Sequence, residues 1–498
     1  LVNVATPLSV YALNLVIGLS LGLAIDYSLL IISRYREELA ATGPGRDALL
    51  RTLRTAGRSV AFSAVTVAAA LAGLMIFPQP FLFSMGLGGV MVALIAAIAA
   101  LVVLPAVLAL LGTRVNALAP KRWRNQTETA NQQATTGFWV VLSHWVMRRK
   151  ATVAAVTVVG LLVVALPAAG INFTTIDARS LPTSVDARVV DDTLAADFPE
   201  NHSTPVYVAL EAPDTPAARA EVTAYAERLA ALPNAGVVPP PTPVGTTAWR
   251  IDLYSDAQPL SDEAQTLVRD VRSTAAPFPA QTGGLTASFV DQKTSLAGRL
   301  PWAILLIAAT TIVALFIMTG SVLLPIKAVI MNLLTLAATM GILVWIFQDG
   351  RLEGLLGYES VGALDITSPI LLGAMAFGLS TDYAVFLLSR IKECHDAGED
   401  TTDAVAHGLQ RTGRIVTAAA LLFAVALGAY ATSDILMIKQ LGLDTALAEL
   451  IDATRERAVS GGHLTYAVSG GRPKGRPTVM RAGSRPGCGR RRRPRTGA

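Results

Sequence analysis

Charge is scarce in this chain. Asp, Glu, Lys and Arg make up 15% of its 498 residues, apolar residues make up 52%, and mean hydropathy is +0.50. Soluble domains carry about 25% charged residues, so an ordinary water-soluble protein is excluded. Cysteine is scarcer still: Cys394 and Cys488 alone offer neither a disulfide framework nor a metal cluster. With five histidines and no nucleophile–base or metal-ligand spacing, no enzyme, no catalytic or metal residue and no cofactor are expected. The first residues show no signal-peptide pattern. The first residue is Leu rather than Met, which reads either as a fragment of a longer protein or as a literally translated alternative start codon. Positive charge is confined as well. Residues 460–498 hold ten Lys/Arg and no Asp/Glu, and without them the net charge of +5 becomes −5. The high isoelectric point therefore does not indicate a nucleic-acid partner.

Long hydrophobic runs are abundant. Nine apolar segments stand out: 9–33, 59–77, 84–112, 151–169, 301–320, 323–346, 367–389, 415–433 and 438–454. A helix crosses the hydrocarbon with about 20 such residues. The chain reads as a polytopic α-helical membrane protein, multi-pass in the cell membrane. Its Ala- and Gly-rich spans suit close helix packing. Lys and Arg bias orients the loops. Loop 34–58, with six basic against three acidic residues, and segment 113–150, with seven against one, belong inside. Loop 347–366, with one against four, belongs outside.

Residues 171–300 differ, with 16 acidic residues, nine basic ones and no span. Alternation marks strands at Val206–Leu210 and 247–254, and 3.6-residue periodicity marks helices at 217–232 and 261–273. The two strands are expected to pair in an extracytoplasmic α+β domain. Pro239–Pro241 and Pro243 read as a loop.

One segment occurs twice. Gly22-Leu23-Ala24-Ile25-Asp26-Tyr27 followed by Ser33-Arg34-Tyr35-Arg36-Glu37 matches Gly378-Leu379-Ser380-Thr381-Asp382-Tyr383 followed by Ser389-Arg390-Ile391-Lys392-Glu393, always at an offset of 356. Gly57-Arg58 and Gly413-Arg414 keep the register. Both copies run in the same direction across the membrane, so they belong to a pseudo-twofold parallel repeat.

Asp26 and Asp382 sit deep in apolar helices; Asp26 lies about 12 Å from Arg34 at 1.5 Å per residue. A carboxylate at that depth is expensive. It can take a proton from one side and release it to the other, and each neighbouring Tyr can reach the opposite Asp. Asp26, Tyr27, Asp382 and Tyr383 are therefore the candidate proton relay. Gly18, Gly22 and Gly378 share a helical face with the acids and serve either close helix packing or a narrow water path. Arg34, Arg36, Arg58, Arg390 and Arg414 read as charges at the inner membrane boundary.

With these motifs the chain resembles the MmpL family of the resistance-nodulation-division (RND) superfamily, strongest over Gly22–Glu38 and Phe377–Glu393 and extending over about residues 1–459. The resemblance implies that residues 1–112 are the last three spans of a first repeat. Residues 113–150 would then be a cytoplasmic linker, 151–170 a span, 171–300 a porter-type domain and 301–459 five more spans. It also implies proton-driven export of lipids or other hydrophobic small molecules, with protons and membrane lipids as further partners and a homo-oligomer left open. The alternative is a non-transporting scaffold or an inactive remnant of such a transporter. The likeness fades at the end. Asp444 and Glu449 interrupt the last span, Arg455 and Glu456 follow it, and 460–498 reads as a disordered basic tail.

Overall fold

The computed structural model describes residues 9–117, 138–175, 177–197, 204–396 and 398–469. Most of the linker and the basic tail beyond 469 lie outside the described residues. Helix α1 (Val10–Thr42) stops at Gly43, whose φ of 76° releases the chain into the inner loop. Helix α2 (Arg46–Thr52) passes through a π-helical turn, Leu53–Gly57, into α3 (Arg58–Ala72). Helix α4 (Pro80–Ile98) passes through a second π turn, Ala99–Val103, into α5 (Leu104–Leu111). Pro105 explains that second turn: its ring has no N–H to give and displaces the carbonyl one turn earlier. Helices α6 (Phe138–Arg148) and α7 (Lys150–Ala165) then lead to the soluble region.

The soluble region begins with β1 (Phe173–Thr174) and α8 (Asp186–Asp197). It continues with β2 (Val206–Leu210), α9 (Pro216–Ala230), β3 (Thr242–Val244), β4 (Ala248–Leu253), α10 (Asp262–Ser273) and β5 (Ala280–Gly283). The four strands β2 to β5 form one antiparallel sheet in the order β3-β4-β2-β5, with Val206 opposite Leu253 and Leu210 opposite Trp249. Alternation decides its faces. Val206, Val208, Leu210, Ile251 and Leu253 bury against Val222, Tyr225 and Leu229 of α9 and Leu267, Val268 and Val271 of α10. Thr215 and Ser261 cap these helices, each accepting from the backbone N–H three residues on. The proline stretch read as a loop supplies the edge strand β3, a position where the missing N–H of Pro243 is tolerated.

Helix α11 (Leu285–Thr319) is longer than the expected 301–320 span. It starts beside β5 and runs unbroken into the bundle, with Arg272 of α10 donating to Asp291 at 2.6 and 2.9 Å to brace its outer end. Helices α12 (Leu323–Leu343), α13 (Glu353–Leu356), strand β6 (Leu364–Asp365), α14 (Ser368–Asp396), α15 (Thr401–Gly428) and α16 (Leu436–Ser469) complete the chain. Strand β6 pairs in parallel with β1, joining the exits of α7 and α12.

Among the described residues seven helices are long and apolar enough to cross a membrane; nine spans are expected from the whole sequence. The other two expected segments, 367–389 and 438–454, are also helical, within α14 and α16. Helix α14 runs through the first of them without a break, and α16 carries Lys439, Asp444, Glu449, Asp452 and Arg455. The last helix also continues to Ser469, past the 454 limit set by hydropathy. Helix α1 packs on α4 and α15, and α14 packs on α3, α15 and α16. Val102, Val156, Val159, Leu162, Leu305 and Ile317 stay exposed, as lipid-facing residues of a multi-pass membrane protein do.

Candidate functional site

Asp26 and Tyr27 lie in the middle of α1, 4% and 0% exposed. The Tyr27 hydroxyl accepts a hydrogen bond from Ser63 of α3 at 3.0 Å. Helix α14 carries Asp382 and Tyr383 at the matching positions. Their side chains lie outside the described residues, as does the expected cross-pairing with Asp26 and Tyr27.

Two sets of contacts respect the 356-residue offset. The first involves glycine. A Cβ added at Gly22 would sit 2.2 Å from the Phe423 ring on α15, and one at Gly378 would sit 3.4 Å from Val67 on α3. Gly22 and Gly378 are offset partners, and so are Val67 and Phe423. Helix α1 therefore meets α15 as α14 meets α3. At Gly18 the space is taken by Leu427 of α15 and by Tyr430 in the turn just after it, 2.6 and 2.8 Å from an added Cβ.

The second set is ionic. Arg34 donates to both carboxylate oxygens of Glu393 at 3.0 and 3.3 Å, while Arg390 donates to Glu37 at 2.5 Å. Each arginine also holds the glutamate one turn along its own helix: Arg34 to Glu37 at 3.3 Å and Arg390 to Glu393 at 3.0 Å. Glu38 adds a further bond to Arg34 at 2.7 Å. The result is a reciprocal clasp between the inner ends of α1 and α14. The sequence places Arg34 and Arg390 at the inner membrane boundary as interfacial charges. The structure turns them inward, with side chains 10% and 6% exposed. The reason is the glutamate three residues on, which lies on the same helical face and draws each arginine toward the partner helix. Arg36 is half-buried. Arg58 is exposed and stacks 5.5 Å over Phe62. The Arg414 side chain lies outside the described residues.

A second polar cluster joins α12, α14 and α16. Arg455 donates to Asn332 Oδ1 at 3.0 Å, Thr335 Oγ1 at 2.9 Å and Ser380 Oγ at 3.1 Å, and it pairs with Asp452. Ser380 also donates to Asn332 at 2.7 Å. Sequence reading treated these charges as an irregular end to the last span. Their spacing was the missed signal, because Asp452 and Arg455 lie three residues apart on the face that α16 turns inward. The cluster sits half a turn from Asp382 along α14. Outside the spans, Asp365 is buried ahead of α14; desolvation pushes its carboxyl up, against hydrogen bonds from Thr367, one of them 2.9 Å from the backbone N–H. Among the described residues no group of three His, Cys, Asp or Glu could hold a metal ion.

The MMPL family model matches residues 2–153 and 180–459. A membrane protein of Streptomyces coelicolor is 43% identical over 451 residues, covering 90% of this chain and 61% of that protein. The trehalose monomycolate exporter MmpL3 of Mycobacterium tuberculosis is 33% identical over 490 residues, covering 90% and 51%. The mycolic acid-containing lipids exporter MmpL11 of Mycolicibacterium smegmatis is 31% identical over 475 residues, covering 92% and 49%. The chain thus spans about half the length of these two exporters. Among solved structures, SecDF of Thermus thermophilus, a translocon-associated membrane protein, aligns with a TM-score of 0.52 at 15% identity, covering 91% of this chain and 54% of that one. That likeness concerns the fold alone: a helical membrane bundle with a β-containing soluble region of porter-like type.

Proposed function

The chain belongs to the MMPL family of the RND superfamily, and from that premise we propose that it serves proton-motive-force-driven export of lipids or other hydrophobic small molecules across the cytoplasmic membrane. The names of the two matched exporters support the substrate class. Membership of a transporter family sets the chain apart from enzymes. The observation that carries the proton-driven part is the burial of Asp26 and Tyr27 at mid-helix, in one of two repeat-related helices clasped by the arginine–glutamate pairs.

In this reading Asp26 and Asp382 exchange protons with the two sides of the membrane. A neutral carboxyl tolerates apolar surroundings and an anion does not. Protonation therefore changes how α1 prefers to lie against α3 and α15, and how α14 prefers to lie against its neighbours. Tyr27, held by Ser63, fixes the polar side of α1. Contacts such as Gly22 with Phe423 leave little slack, so the halves move as packed bodies. The unbroken α11 passes that motion to the external domain, where hydrophobic cargo would be handled.

The test is extrusion of a fluorescent lipid analogue from proteoliposomes under an imposed pH gradient. Asp26→Asn and Asp382→Asn should each abolish gradient-dependent extrusion without impairing membrane insertion. A non-transporting scaffold would be indifferent to both substitutions.

A further inference from the structure

The last helix carries acids that the relay leaves unused. Asp444, Glu449 and Asp452 of α16 are only 3%, 3% and 2% exposed. Asp444, Ala448, Asp452 and Arg455 follow steps of four, four and three, which keeps them on one helical face. At 1.5 Å per residue Asp444 lies about 12 Å outward of Asp452, with Glu449 between them. Asp452 is held by Arg455. Asp444 differs, because its Oδ1 is buried without a hydrogen-bond partner among the described residues. It opens on a small cavity between the outer ends of α14 and α16, lined by Thr367, Ser368, Leu371, Met437 and Leu441 among others. Further in, along the same groove, Glu449 and Asp452 line a second cavity with Asn332, Ser380 and Thr445. Each cavity has a volume of about 10 Å³, close to the minimum for a single water.

The repeat makes this groove one-sided. The positions 356 residues before Asp444, Glu449, Asp452 and Arg455 are Gly88, Ala93, Ala96 and Ala99. The relay pairs occur in both halves, but this acidic row occurs in one. Other charged groups bound the groove only at its ends. Asp365 stands ahead of α14, and Lys439 donates from the head of α16 to the carbonyls of Leu356 and Gly357. At the inner end stand Arg455 and, on α6, the half-buried His144. Helix α12 contributes the neutral Asn332 and Thr335 and, nearer its start, Lys327; the turn 429–432 brings Tyr430 against Gly442 of α16; α7 between Ala151 and Ala165, and α15 between Ile415 and Gly428, have no titratable residue. Asp382 on α14 is the next acid inward.

We propose that the α14–α16 groove is a proton-entry lane from the outer face, in which Asp444 takes up the proton and Glu449 passes it toward the turn of α14 that bears Ser380 and Asp382. A hydronium in the outer cavity gives its proton to a carboxylate oxygen of Asp444 and is left as water. That O–H bond breaks as the proton moves through water to a carboxylate oxygen of Glu449, restoring the Asp444 anion for the next proton. The lane rests on the proton-driven reading above.

The test uses the full chain in liposomes, with acid imposed on the outer face and interior pH followed by a trapped dye. Asp444→Asn and Glu449→Gln should each slow inward proton flux by about tenfold, and Asp444→Glu should stay within about twofold of the unaltered protein. Asp26→Asn should abolish flux. If Asp26→Asn abolishes flux while Asp444→Asn and Glu449→Gln match the unaltered chain, the lane is wrong and the relay stands. If the unaltered chain moves no protons, or Asp26→Asn is indifferent, both are wrong. Should Asp444→Asn fail to insert, dicyclohexylcarbodiimide labelling of the unaltered chain decides: an adduct on Asp444 promoted by outside acid supports the lane, and none overturns it.

Discussion

The clasp between α1 and α14 gives a quantitative prediction because it comes in two copies. Each cross pair joins a buried arginine, with 10% or 6% of its side chain exposed, to a half-exposed glutamate, at 45% or 40%. At an effective dielectric of about 20 a contact pair is worth about 4 kcal/mol. Solvent at the glutamate and the cost of desolvating the arginine reduce this to about 1 kcal/mol. Two double-mutant cycles follow, Arg34→Gln with Glu393→Gln and Arg390→Gln with Glu37→Gln. Each should yield a coupling energy near that value, and the two should agree within about 0.5 kcal/mol. The single changes should be unequal. Arg34 serves Glu37, Glu38 and Glu393, so Arg34→Gln should cost about 2 kcal/mol, because it strips a cation from several carboxylates at once. Glu393→Gln should cost about half as much, since both arginines keep Glu37. The assay is equilibrium unfolding in mixed detergent micelles at low salt. Zero coupling in both cycles, or coupling in only one, would refute the reciprocal clasp.

Other substitutions test other levels of the structure. Gly22→Val should drive a side chain into Phe423 and cost about 1–3 kcal/mol, with Phe423→Ala restoring part of the loss in the same unfolding assay. Ile251→Ala should hollow the core of the external sheet at a cost of about 2–5 kcal/mol, seen as faster amide exchange across β2 and β4. Asp365 should make stability fall as pH rises. Its folded carboxyl holds its proton more tightly than the ordinary one, so its contribution is greatest below the ordinary carboxylate range of about 3.9. It then declines up to the raised value and is flat beyond it. Asp365→Asn should remove that slope from the thermal stability profile.

Much of this architecture could be read from residue order. The strands at Val206–Leu210 and 248–253 alternate strictly, and their pairing follows from burying the same face. The long apolar runs of α4 and α7 leave no other reading. The repeat was visible because chemically odd residues recur at one offset. Side-chain direction was less accessible. Arg34 and Glu37 stand where a boundary anchor would stand, and only the approach of α14 turns them into half of a clasp. Asn332, Thr335 and Ser380 are ordinary polar residues in sequence, and their role depends on Arg455 arriving from a helix more than a hundred residues away from the first two. The hydropathy limit at 454 also fell short at α16, because Asp452 and Arg455 pair with each other inside the bundle and so do not end the helix. Pro243 misled for a related reason: an edge strand has spare hydrogen-bonding positions, and a window of sequence does not show where an edge lies.

The central claim is that Asp26 and Asp382 act as one proton-carrying unit. Proton flux through the reconstituted chain, measured for Asp26→Asn, Asp382→Asn and the double variant, tests it most directly. Groups that work as a unit are strongly non-additive, so each single change should remove gradient-driven flux and the double change should remove no more. Flux that survives either single substitution, or falls by independent factors that multiply in the double variant, would contradict the account.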